Sequence, residues 1–149
     1  MGVAMITDGK YIKSWHVEFP KTENIYLLVH NTVIDALRIW ESSCEITTDD
    51  FVAFENIPMR FGWSRILIEV VGGIKTILAQ RNLPFMEISP TTIKKQLTGS
   101  GRSPKGYDNK KQLIINAVNE KFGLSITEDN QADALGIAWT AWLIEKGEL

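Results

Sequence analysis

Near the C-terminus, Asp129-Asn130-Gln131-Ala132-Asp133-Ala134-Leu135 opens an apolar run. Asp129 and Asp133 are four apart and Asn130 and Asp133 three apart, so a helix carries all three side chains on one face. Clustered hard oxygen donors are what Mg²⁺ prefers. Acidic residues in a first helical turn also have a plainer use, capping free N–H groups and complementing the helix dipole. The segment alone leaves both readings open. Glu55 is a second acid of interest, because it follows Phe51-Val52-Ala53-Phe54 at the end of an apolar strand-like run. A Glu there is either a rim residue reaching solvent or a site carboxylate held on a rigid element.

A third group is basic. Residues 94–111 contain Lys94, Lys95, Arg102, Lys105, Lys110 and Lys111 against one acid, in a chain whose net charge is −2. Such concentration suggests a local polyanion contact, with a solvated loop as the bland alternative. In the functional version Lys94, Lys95 and Arg102 neutralise phosphates. Lys105, Lys110 or Lys111 then stabilise charge near the carboxylates. Trp63 lies in a predicted loop beside the strand of Glu55, where it either stacks on an exposed base or packs in a core or interface. Other chemistries fit poorly. His16, His30 and Cys44 have no zinc-site spacing. There is no Gly-x-Ser-x-Gly elbow, and Gly99–Gly106 lacks the Gly-Lys-Ser/Thr ending of a Walker A loop.

These residues need a scaffold. At 149 residues with 44% hydrophobic and 23% charged side chains, the chain reads as one globular domain with a real core. The single Cys44 allows no internal disulfide and suits a reducing compartment. No apolar run approaches the roughly 18–20 residues needed to span a bilayer, and no secretory signal is visible.

Two β-like runs, 2–7 and 11–17, flank Asp8-Gly9-Lys10, a strong hairpin signal. Val29, Val33, Leu37 and Trp40 mark an amphipathic helix from about Glu23 to Ser43. Residues 50–56 read as a buried strand, broken by Pro58. A second helix is predicted from Ser64 to about Arg81, with Leu67, Val70, Val71, Ile74, Ile77 and Leu78 facing the core. Gly72-Gly73 in its middle requires either a closely packed backbone or a break into two helices. A strand over 84–89, a short helix over 91–97, a flexible basic loop over 99–106, and helices over 109–122 and 132–146 complete the order. Such alternation implies an α/β sheet covered by helices.

Taken together, Phe51-Val-Ala-Phe-Glu55, Pro90-Thr-Thr-Ile-Lys-Lys95, Leu97-Thr-Gly-Ser-Gly101, Lys110-Lys111-Gln112 and Ala132-Asp133-Ala134-Leu135 resemble, in order and spacing, the RuvC family of Holliday-junction resolvases in its phage-like form. The resemblance runs from roughly Phe51 to Trp142. It implies a ribonuclease-H-like mixed sheet flanked by helices. The implied activity is that of a crossover junction endodeoxyribonuclease, a homodimer resolving four-way DNA junctions by paired phosphodiester hydrolysis with two Mg²⁺ per site, Mn²⁺ substituting. It also implies a cytoplasmic setting, in a bacterial cell or a phage-infected host. Glu55 and Asp133 correspond to metal-binding carboxylates, Asn130 to the remaining ligand position, and Lys110 or Lys111 to a lysine at the scissile phosphate. The loop with Gly99, Gly101, Arg102 and Lys105 corresponds to the basic loop lining the junction. The helix around Leu67–Leu78 corresponds to the dimerisation element.

Two departures qualify the match. Asn130 stands where the family usually has Asp or His, and Asp129 next door is the candidate to compensate. The family also opens with a strand ending in a Gly-Ile-Asp-type motif, whose Asp is the first metal ligand. Residues 1–7 resemble the second strand instead, implying an N-terminally truncated chain or a misassigned start, and a site that lacks one carboxylate. Asp8 could fill that role only if residues 3–6 were the first strand, and the Asp-Gly hairpin fits it better. The rival functions are a junction-binding module without cleavage and a ribonuclease-H-like nuclease acting on another substrate.

Overall fold

A computed structural model describes residues 1–20, 24–43, 47, 49–56, 65–100 and 110–149, with Lys110 described by its backbone alone. Cys44, Pro58, Trp63, Arg102 and Lys105 lie outside the described residues.

The chain opens with a hairpin, β1 (Gly2–Thr7) and β2 (Lys10–His16), paired antiparallel from Gly2 opposite His16 to Thr7 opposite Lys10. Asp8 (φ 50°) and Gly9 (φ 71°) form its two-residue turn. Both angles are positive, as the twist of a tight hairpin demands, and Asp-Gly tolerates them. Asp8 is therefore a turn residue. The register slips between Met5 and Ile6, leaving Ile12 as the extra residue of a bulge, exposed to solvent. Next come α1 (Ile25–Ser43), β3 (Val52–Glu55), α2 (Arg65–Gln80), β4 (Phe85–Ile88), α3 (Pro90–Thr98), α4 (Lys110–Phe122) and α5 (Asp129–Glu145). The strands make two separate ladders, β1–β2 and β3–β4. Val52 N–H donates to Pro84 O (3.0 Å) and Asn56 N–H to Ile88 O (2.8 Å), so β3 and β4 advance together in parallel.

The chain groups into two compact units. The first comprises 1–16, 53–56 and 87–149. In it α5 is the central element, packed on β1, β2, α3 and α4. Its core is built by Ile114, Ile115 and Val118 of α4 against Ala132 and Leu135 of α5, with Ala4, Ile6 and Tyr11 of the hairpin packed around them. Gly2 is required where it stands, because a Cβ there would fall 1.8 Å from the Asn130 carbonyl oxygen.

The second unit comprises 17–52 and 57–86, in which α1 packs on α2. Val29, Val33 and Leu37 are buried as their spacing predicts, while Trp40 is half-buried. α2 is one unbroken helix through Gly72-Gly73, as the predicted span has it, but it corrects the predicted core: of those apolar residues only Ile77 and Leu78 are buried. Leu67 is exposed, together with Ile66 and Ile68, although the Tyr26 hydroxyl of α1 donates to Glu69 in the same half of the helix. Residues 52–54 are likewise half-buried rather than buried, as expected of a strand in a ladder of only two.

Candidate active site

Glu55 is the last residue of β3, and Asn56 follows it as a ladder donor, so the carboxylate sits where a strand ends. In open α/β sheets functional groups gather outside the carboxyl ends of strands. Asp133 stands one turn into α5, on the face shared with Asp129 and Asn130. α5 starts at Asp129, a turn earlier than apolar periodicity suggests, so the whole acidic cluster is helical.

The third group arrives on α3. Ser89 caps this helix, its hydroxyl accepting from the Thr92 N–H (3.1 Å), and Pro90 fills the first turn where no N–H is needed. Gly99, at φ 72°, ends it. Gly136, one turn beyond Asp133, lets α3 approach α5 closely: a Cβ there would meet Leu97 Cδ1 at 2.6 Å and Ile93 Cγ2 at 3.3 Å. That packing carries the half-buried Lys94, beside buried Ile93, toward the acids, while Lys95 points to solvent.

The electrostatics reflect this assembly. Burial pushes the Glu55 carboxyl above the usual carboxylate range, Asp133 adds to the push, and Lys94 opposes it. Burial likewise raises Asp133, with Asp129 adding to it and Lys94 and Lys111 opposing. Both side chains reach solvent, so the desolvation is partial. Lys94 is the counter-charge common to both acids.

Asp129 behaves differently. Its carboxylate accepts a hydrogen bond from the Lys111 ammonium at the start of α4 and is held below the usual range, chiefly by that bond. Lys111 is raised in turn. Asn130 is exposed, and nothing is described of the Lys110 side chain. Among the described residues, no three His, Cys, Asp or Glu side chains converge as a ready metal cage. The structure thus associates Glu55, Asp133 and Lys94, and separately pairs Asp129 with Lys111. Lys94 was assigned from sequence to DNA phosphates; Gly136, inside an apolar helix, was the available signal for a close helix approach.

No family model matches the chain. It is 34% identical over 96 residues to the crossover junction endodeoxyribonuclease RuvC of Gloeobacter violaceus, covering 62% of this chain and 52% of that protein. The aligned segment thus spans about half the length of that relative. A longer alignment, 94% of this chain and 85% of the relative, is 22% identical to the protein of the same name from Rickettsia typhi. Over these spans the chain is similar to RuvC proteins. Its fold agrees: a Thermus thermophilus RuvC structure superposes with TM-score 0.67 at 19% identity, covering 98% of this chain and 87% of that one. T. thermophilus RuvC in complex with Holliday junction substrate gives 0.69 at 21% identity, covering 97% and 86%. The RuvC-like architecture is the ribonuclease-H-like fold expected from the sequence.

Proposed function

We propose that this chain is a Mg²⁺-dependent endonuclease that resolves four-way DNA junctions as a homodimer, in the cytoplasm of a bacterial cell or a phage-infected host. The observation that carries the reading is the association of Glu55 and Asp133, from a strand end and the last helix, around Lys94.

The donor set fits a hard dication. Two partly desolvated carboxylates that both sit above their ordinary range carry more negative charge than one lysine balances, and oxygen ligands suit Mg²⁺. Glu55 and Asp133 are the residues that would hold it, with the Asn130 carbonyl as a weaker neutral donor. What the bound metal supplies is charge stabilisation at the scissile phosphate and a more acidic water. Lys94 balances the acids until they are occupied. Lys111, three-quarters exposed, is free-ended enough to meet a phosphate oxygen. Lys95, Arg102, Lys105, Lys110 and Trp63 are the further DNA contacts in this reading, binding backbone or stacking on a base.

The dimer reading rests on the second unit. Tyr26, Leu27, Ile66, Leu67 and Ile68 form an exposed apolar set there, and a Cβ on Gly72 or Gly73 would meet nothing within 4 Å. A two-fold partner would present two equivalent sites to two equivalent strands.

Cleavage of a synthetic four-way junction with Mg²⁺ tests the proposal. Glu55→Gln should lower the rate by at least about a hundredfold, the loss of several kcal/mol of charge stabilisation, while junction binding persists. Binding without cleavage by the wild-type chain would instead support the junction-binding module. Equal cleavage of linear duplex would support a nuclease with another substrate.

A further inference from the structure

Resting on the nuclease reading above, we propose that Asp129 is a positioning residue that holds the Lys111 ammonium at the carboxylate end of α5, and is not a metal ligand. The sequence leaves Asp129 open as a substitute for the weak donor Asn130. The geometry decides between the two roles.

Asp129 is a fixed acceptor and Lys111 a donor with freedom. The Asp129 side chain is 26% exposed and that of Lys111 75%. The hydrogen bond from the Lys111 ammonium falls on the Asp129 carboxylate at the first turn of α5. A dication reaching that oxygen would have to compete with the ammonium already on it. Asp133, one turn on, has no such hydrogen-bonded partner among the interactions described and lies open to a cation.

The distance from Lys111 to Asp129 is built into the scaffold. Ile114, Ile115 and Val118 lock α4 onto Ala132 and Leu135. The connection between the helices is clamped by Asn119, whose amide donates to Ile126 O (2.9 Å) and whose carbonyl accepts from Ile126 N–H (2.8 Å). The Leu124 N–H donates to Asn119 O (3.0 Å), and Gly123, at φ 66°, makes the turn possible. A phosphate arriving at Glu55 and Asp133 would take over the Lys111 hydrogen bond from Asp129, exchanging one anion for another without moving either helix.

The test uses the full 149-residue chain as wild type, Asp129→Asn and Asp129→Glu. Acylation of Lys111 by an N-hydroxysuccinimide ester, read by peptide mass spectrometry against exposed Lys95, should rise about twofold to fivefold in Asp129→Asn and stay near wild type in Asp129→Glu. Mn²⁺ affinity, read by electron paramagnetic resonance, should change by less than about twofold. In junction cleavage, Asp129→Asn should lower kcat while leaving KM unchanged or reduced, and Asp129→Glu should restore it. Unchanged Lys111 labelling overturns the proposal, and so does a loss of Mn²⁺ affinity of about tenfold or more, the scale expected when a metal's support is removed. If the wild type cleaves no junction, the nuclease reading fails by itself, and the labelling still judges the Lys111–Asp129 pair.

Discussion

Two carboxylates that share one lysine give the metal-free site an internal cost. Glu55 and Asp133 are both raised above their ordinary values, chiefly by burial, so ionising them opposes folding at neutral pH. A raised carboxyl pKa favours the fold below the unfolded value, near 4, and that advantage is lost as pH rises through the folded value. Glu55→Gln removes the charge and keeps the shape. Its Tm in EDTA at pH 7, followed by circular dichroism, should exceed wild type by about 1–3 °C after solvent screening. The difference should shrink toward pH 4, where the wild-type carboxyl takes up its proton. A lower Tm for the variant at pH 7 would mean that Glu55 is held by a compensating partner instead. At this scale the sequence was informative about identity and poor about company. Glu55 and Asp133 were legible as oxygen donors on predictable elements. Lys94 was not legible as their neighbour, because that depends on how α3 lies on α5 at Gly136.

Among the elements, α2 carries the sharpest contrast. Hydrophobic period marks the apolar stripe of a helix but not what covers it. Residues 65–80 form the predicted helix, yet its first half shows Ile66, Leu67 and Ile68 to solvent and its glycines face open space. In a monomer, Gly72→Ala should therefore stabilise the fold by about 1 kcal/mol through helix propensity. In the proposed dimer, where a partner backbone packs at the glycines, the same change should weaken association by about tenfold or more, because overpacking costs about 1–3 kcal/mol. Sedimentation equilibrium beside urea denaturation separates the two effects. Stabilisation with no change in self-association would remove Gly72 from the interface. The hairpin was the most legible element, since Asp8-Gly9 fixes the turn chemistry locally. The division of the strands into two ladders is a long-range property that no local turn or periodicity signal carries.

For the whole molecule, the proposed function needs both the carboxylate site of the first unit and the apolar helix face of the second to serve a branched DNA. Similarity to RuvC proteins is what suggests that pairing, and no described helix is long and apolar enough to cross a membrane. Paired cutting is the property that distinguishes a junction-resolving dimer from a nuclease acting one strand at a time. A supercoiled plasmid that extrudes a cruciform reads it directly: two coordinated cuts across the junction give linear DNA, whereas a single cut relaxes the plasmid and the cruciform is reabsorbed. With Mg²⁺, the wild-type chain should convert cruciform plasmid to linear product and leave a plasmid without the inverted repeat intact, and Glu55→Gln should do neither. Nicked circles as the main product, or equal attack on both plasmids, would contradict the account.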